Sequence, residues 1–151
     1  MVGAMLAART IIGALEQDNT RIDALWPYNR MWFGGPGRGN HFAALAALKE
    51  ILQDLSHAEL AFLMRRDILS GEMLTPSING IFEVPDIHAT LKTLIRGITR
   101  PGLLLQLNRA TTMGKKIFRH YSQYPTVWEA QTFAAWVKKA DDLFGRIISA
   151  G

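Results

Sequence analysis

Apolar residues recur along this chain at the spacing of helix faces. Met5, Ala8, Ile12 and Leu15 fall on one side of a helix, and Leu45, Leu48, Leu52 and Leu55 on one side of another. Ser56-His-Ala-Glu59 has the form of a capping box, in which the serine and the glutamate satisfy each other's backbone N–H groups. The helix it starts turns Leu60, Leu63, Met64 and Ile68 inward and is expected to stop near Ser70-Gly71. Between Pro76 and Pro85 the helical pattern breaks. Asn79-Gly80 suits a two-residue turn, so this stretch predicts either a small β-hairpin near residues 77–84 or an irregular crossover.

Asp86 is placed to cap a helix with the stripe Ile87, Leu91, Leu94 and Ile98. Arg100-Pro101-Gly102 stops it and starts a longer helix running to about Ser122, with Leu103, Leu107, Ala110, Gly114, Ile117 and Tyr121 on one face. Thr126-Val-Trp-Glu129 reads as a second capping box. It precedes a last helix striped by Phe133, Trp136, Val137, Ala140, Phe144, Ile147 and Ile148. There is no internal repeat, low-complexity tract or linker. The pattern therefore predicts an all-α fold: one domain over residues 1–151, a bundle of five or six helices with mostly short connections.

Composition narrows the classes. A chain of 151 residues with 48% apolar and 20% charged side chains can bury a real core. The absence of cysteine excludes a disulfide scaffold, a cysteine-type zinc site, an iron–sulfur cluster and a thiol nucleophile. The first residues lack a basic region, and Arg9 splits their apolar run, which argues against a cleaved signal peptide. No apolar run approaches the roughly 20 residues of a membrane span. The expectation is a cytoplasmic protein with no integral membrane segment.

Charge is distributed unevenly. From Ile87 through Trp128 there is no Asp or Glu, while Lys92, Arg96, Arg100, Arg109, Lys115, Lys116 and Arg119 contribute seven positive charges. Against a net charge of +4 for the whole chain, the remainder is net negative by three. Helical spacing gathers Arg109, Lys116 and Arg119 on one side. An antiparallel helix ending at Arg100 would bring Lys92 and Arg96 to the same face. Such a face attracts an acidic protein or, as an alternative, a nucleic-acid backbone. It serves equally as a solvated surface whose charges pair within the chain.

The second candidate surface is the stretch Trp26 to Arg38. Its Trp26, Tyr28, Trp32 and Phe33, with Arg30 and Arg38, have the composition of a binding hot spot, and exposed rings there would favour self-association. The same rings can instead close one end of the bundle. The glycines that follow, Gly34, Gly35, Gly37 and Gly39, invite comparison with a phosphate loop. They lack the terminal Lys-Ser/Thr, a preceding strand, and the N–H that Pro36 removes, so a hinge before the next helix is the better reading.

Catalytic signals are sparse. His41, His57, His88 and His120 are scattered, and no His-Glu-x-x-His occurs. Glu50, Asp54 and His57 have ligand-like spacing but no second Glu-x-x-His to complete a dinuclear site. The pairs Asp86/His88 and His57/Glu59 sit at helix starts, where caps are commonest, and Asp141-Asp142 beside Lys138-Lys139 is a solvated charge cluster. No catalytic residue, metal or cofactor is assigned. The sequence points to a small helical binding or adaptor protein acting through its basic face and aromatic stretch. A site assembled across helices, as in a small enzyme or toxin domain, remains the third reading.

Overall fold

The computed structural model describes residues 2–83 and 99–148, and every regular element among them is helical. Seven helices follow in order: α1 (Val2–Glu16), α2 (Ile22–Gly34), α3 (Gly39–Gln53), α4 (His57–Arg65), α5 (Gly71–Ile78), α6 (Pro101–Ser122) and α7 (Ala130–Ile148). The all-α class stands, but the five or six expected helices become seven within the described residues. The expected helix over 87–98, with its apolar stripe, His88, Lys92 and Arg96, lies outside them.

The β-hairpin is not formed. Residues 71–78 are helical, and Asn79-Gly80 ends that helix. Gly80 has φ 69°, its N–H bonds to the Ser77 carbonyl at 3.0 Å, and the Ile81 N–H reaches back to the Pro76 carbonyl at 2.8 Å. These two bonds with a left-handed glycine form a Schellman cap. An Asn-Gly pair supplies the same positive φ to a hairpin turn and to a helix stop, so the dipeptide alone does not separate them.

The same motif explains why α4 ends at Arg65 and not near Ser70-Gly71. Asp67 takes the left-handed conformation at φ 54°, donates to the Met64 carbonyl, and the Ile68 N–H bonds to the Leu63 carbonyl at 2.8 Å. Leu63 and Ile68, the two side chains this cap brings together, are both buried. Met64, expected inward, is largely exposed. At the start of α4 the capping box forms as read. Glu59 accepts the Ser56 backbone N–H at 2.8 Å, and the Ser56 hydroxyl accepts the Glu59 N–H at 3.3 Å. The Ser56 hydroxyl also donates to the Glu59 carboxylate at 2.6 Å; that bond foremost, and the Ser56 backbone N–H after it, hold the Glu59 carboxyl below its ordinary pKa. The second box does not form. α7 begins at Ala130, with the Glu129 carbonyl accepting from the Phe133 N–H and its carboxylate from the Thr132 hydroxyl.

The centre of the fold is the pairing of α3 with α6. Small residues let the two backbones approach: Ala44, Ala47 and Ala110 are fully buried. A Cβ on Gly114 would come within 2.9 Å of the Phe82 ring. Ala47, Ile117 and Ile147 make one buried cluster. Leu55, Leu63, Ile68 and Leu103 make a second beside it.

Candidate functional site

The stretch Trp26–Arg38 is mostly helix. Trp26 through Gly34 belong to α2, even though Pro27 withholds one helical N–H. Trp26 is 4% exposed, and its indole N–H donates to the Pro125 carbonyl at 2.8 Å. Its ring touches Tyr124, Trp128 and Phe133 at centroid distances of 5.2, 4.9 and 5.1 Å. Phe33, about two helical turns further on, stacks on Tyr124 at 4.8 Å and meets Tyr121 at 5.2 Å. Trp136 from α7 closes the set against Tyr121 and Tyr124. These ring pairs bind α2, α6 and α7 into one aromatic core, each contributing on the order of 1 kcal/mol beyond simple area burial.

Trp32 explains the glycines. The turn after α2 folds back over its indole, which stacks on Phe42 of α3 at 5.9 Å with the planes 8° apart. A Cβ at Gly37 would lie 2.5 Å from the Trp32 Cα, and one at Gly39 would lie 2.6 Å from its ring. Both glycines are buried. Their missing side chains let main chain pass over a tryptophan, so the run works as a packed turn. Of the residues assigned to this surface, Tyr28, Trp32 and Phe33 are half-buried, and Arg30 and Arg38 are exposed.

The basic residues fare differently. Arg109, Lys115, Lys116 and Arg119 all lie on the solvent side of α6, opposite buried Ala110, Gly114 and Ile117. They span roughly 15 Å along the helix axis at 1.5 Å per residue. None of the four makes an ion pair among the described residues. Leu105, 61% exposed, sits on the same side as Arg109 and Lys116. Arg100 is separate from this group. It lies over the Phe62 ring at 5.0 Å, near enough to Glu59 to favour the ionised carboxylate there, and so ties the start of α6 to α4. Lys92 and Arg96 lie outside the described residues.

Two of the histidines hold structure together. His41 Nδ1 accepts the Phe82 backbone N–H at 3.0 Å, while its ring meets Phe118 edge-on. His120 is buried and stacks on Trp136 at 4.6 Å. Its Nε2 lies 3.0 Å from the Trp136 carbonyl, and the Trp136 indole N–H donates to the His120 carbonyl at 3.3 Å. A carbonyl can only accept, so Nε2 carries the proton. Burial pushes the His120 pKa down. The bond to the Trp136 carbonyl opposes that shift, and the charge of Lys139 adds to it. No group of three or more metal-binding side chains occurs among the described residues.

Sequence reading missed one concavity. A groove of about 1500 Å³ runs between α3, α5 and α6, walled by Leu45, Leu48, Leu52, Leu74 and Leu107, with Lys49 and Lys115 among its lining residues. The leucine stripe of α3 that forms its wall was visible in the sequence, but the gap beside it depends on where three helices sit.

No described helix is long and apolar enough to cross a membrane. No family model matches the chain. No curated protein matches it at a significant level.

Proposed function

We propose that this protein is a small helical binding module that docks an acidic partner protein on the outer face of α6. The observation that carries the reading is the set of four exposed cations, Arg109, Lys115, Lys116 and Arg119, with no ion pair among the described residues. Charges left unpaired on a rigid, well-packed helix can steer a partner of opposite sign and fix its register. Exposed Leu105 beside them favours a protein over a nucleic acid, since it offers an apolar anchor within the charged field. Single-strand nucleic acid is held by rings that stack on bases. Trp26, Phe33, Tyr121, Tyr124 and Trp136 are instead occupied with one another.

Fluorescence anisotropy with two probes tests the reading. The probes are an acidic amphipathic peptide and a generic DNA duplex, each measured at low and physiological salt. The peptide is expected to bind the wild type. The triple variant Arg109→Glu/Lys116→Glu/Arg119→Glu is expected to lose at least about tenfold in affinity, with its melting temperature nearly unchanged. Binding of the duplex alone, falling steeply with salt, would transfer the face to nucleic acid. Peptide binding that survives the triple reversal would end the proposal.

A further inference from the structure

α1 is apolar on both sides. Its buried side consists of Leu6, Thr10 and Ala14, and α2 is its principal packing neighbour. At 100° per residue, Met5, Ala8, Ile12 and Leu15 centre on the opposite side, away from α2. The three large ones are exposed by 63%, 56% and 62%. Arg9 and Glu16 are the helix's only charged residues. A helix apolar all round belongs in an interior, and this one has an interior on one side only.

We propose that this outward face pairs with the same face of a second copy of the chain, with the two α1 helices antiparallel about a two-fold axis. Three features identify the occupant. The spacing Met5, Ala8, Ile12, Leu15 alternates three and four residues, the seam of a helix-to-helix contact, and small Ala8 allows close approach. The flanks of that seam differ. Arg9 and Glu16 lie along one edge and Ile11 along the other, where Ile11 and Leu25 of α2 line a common cleft. Antiparallel copies place like flank against like flank. With the two-fold axis near Ile12, Arg9 of each lies beside Glu16 of the other and Ile11 beside Ile11; parallel copies would set the charges against isoleucine.

Area supplies the third feature. Val2, Met5, Ile11, Ile12, Leu15, Ile22 and Leu25 are exposed by 37–63%. Together they leave on the order of 600 Å² of apolar surface per copy, which paired reaches the roughly 1,200 Å² lower bound of a specific interface.

Sedimentation equilibrium from about 1 to 100 μM, where interfaces of this size dissociate, measures the pairing. The wild type is expected to approach twice the 16.9 kDa chain mass. Ile12→Glu is expected to be monomeric with unchanged helix content, because residue 12 touches little within its own chain. Arg9→Glu is expected to weaken the dimer about tenfold, and Arg9→Glu/Glu16→Arg to restore it. A wild type monomeric throughout, or a dimer indifferent to Ile12→Glu, would overturn the proposal. So would a monomer that binds neutral phosphatidylcholine vesicles through Ile12, which assigns the face to lipid. Failure of the charge swap to restore affinity overturns the antiparallel arrangement. None of these outcomes bears on α6, whose variants are read by peptide binding.

Discussion

α1 and α7 carry the same signature in sequence, an apolar stripe at helical spacing, and the fold treats them oppositely. In α7 the stripe of Phe133, Trp136, Ala140, Phe144 and Ile147 turns inward, with Ala140 and Ile147 buried and the rings locked into those of α2 and α6. In α1 the stripe of Met5, Ala8, Ile12 and Leu15 faces solvent, and the helix packs through Leu6, Thr10 and Ala14 on its other side. The difference lies in what each stripe can meet. α7 brings three bulky rings to a place where α2 and α6 present rings of their own. α1 is joined to α2 by a short connection, and no described helix forms a third layer over it. A stripe states that a face gains from burial and leaves open whether this chain or another one supplies the cover.

The sharpest way to break the comparison is to truncate both stripes. Trp136→Ala removes five ring contacts and the hydrogen bond to His120, and is expected to cost about 3 kcal/mol in urea denaturation. Ile12→Ala, measured at a concentration dilute enough to give monomer, is expected to stay within about 0.5 kcal/mol of wild type. Equal losses would mean that α1 is packed as tightly as α7, contrary to its exposure.

A smaller effect tests how the turn after α2 fixes Trp32, the ring against which Gly3 of α1 packs. Gly37→Ala places a methyl group 2.5 Å from the Trp32 Cα and is expected to destabilise the chain by about 1–3 kcal/mol. Tryptophan fluorescence would report the displaced indole. A neutral substitution would show that the turn is looser than this close approach implies.

The smallest effect concerns pH, and belongs to the contact of α6 with α7. With its pKa below the ordinary value of 6.5, buried His120 stays neutral in the folded chain while the unfolded chain takes up a proton. Its contribution is therefore complete above about pH 6.5 and is lost as pH falls through the depressed folded value. Thermal melts from pH 7.5 to 5 are expected to decline less in His120→Gln, which keeps a donor for the Trp136 carbonyl but does not titrate in this range. Identical slopes would show that His120 carries no part of the acid sensitivity.

Much of the local architecture was legible in the sequence. The Ser56–Glu59 box, the restart at Pro101 and the inward face of α6 follow from short-range rules. They involve residues that meet within one or two turns of the same helix. The misread points are those where one local signal serves two structures. Asn79-Gly80 fits a hairpin and a helix cap alike, and Asp67 took the left-handed position that Gly71 had been expected to provide. The candidate site divides in the same way. Exposure of Arg109, Lys115, Lys116 and Arg119 could be read from their position opposite the α6 stripe, whereas the engagement of Arg100 with Phe62 could not.

The sequence by itself determined that this chain is helical, which faces of its helices are apolar, and that its cations concentrate in one acid-free stretch. Those properties depend on composition and on the 3.6-residue period, which any segment carries with it. Only the tertiary structure decided that the rings of α2 meet those of α6 and α7, that Gly37 and Gly39 exist to let backbone cross Trp32, and that the apolar face of α1 is left uncovered. Each of these is a meeting of residues far apart in the chain. Which of several apolar surfaces is matched is settled by their joint packing in three dimensions.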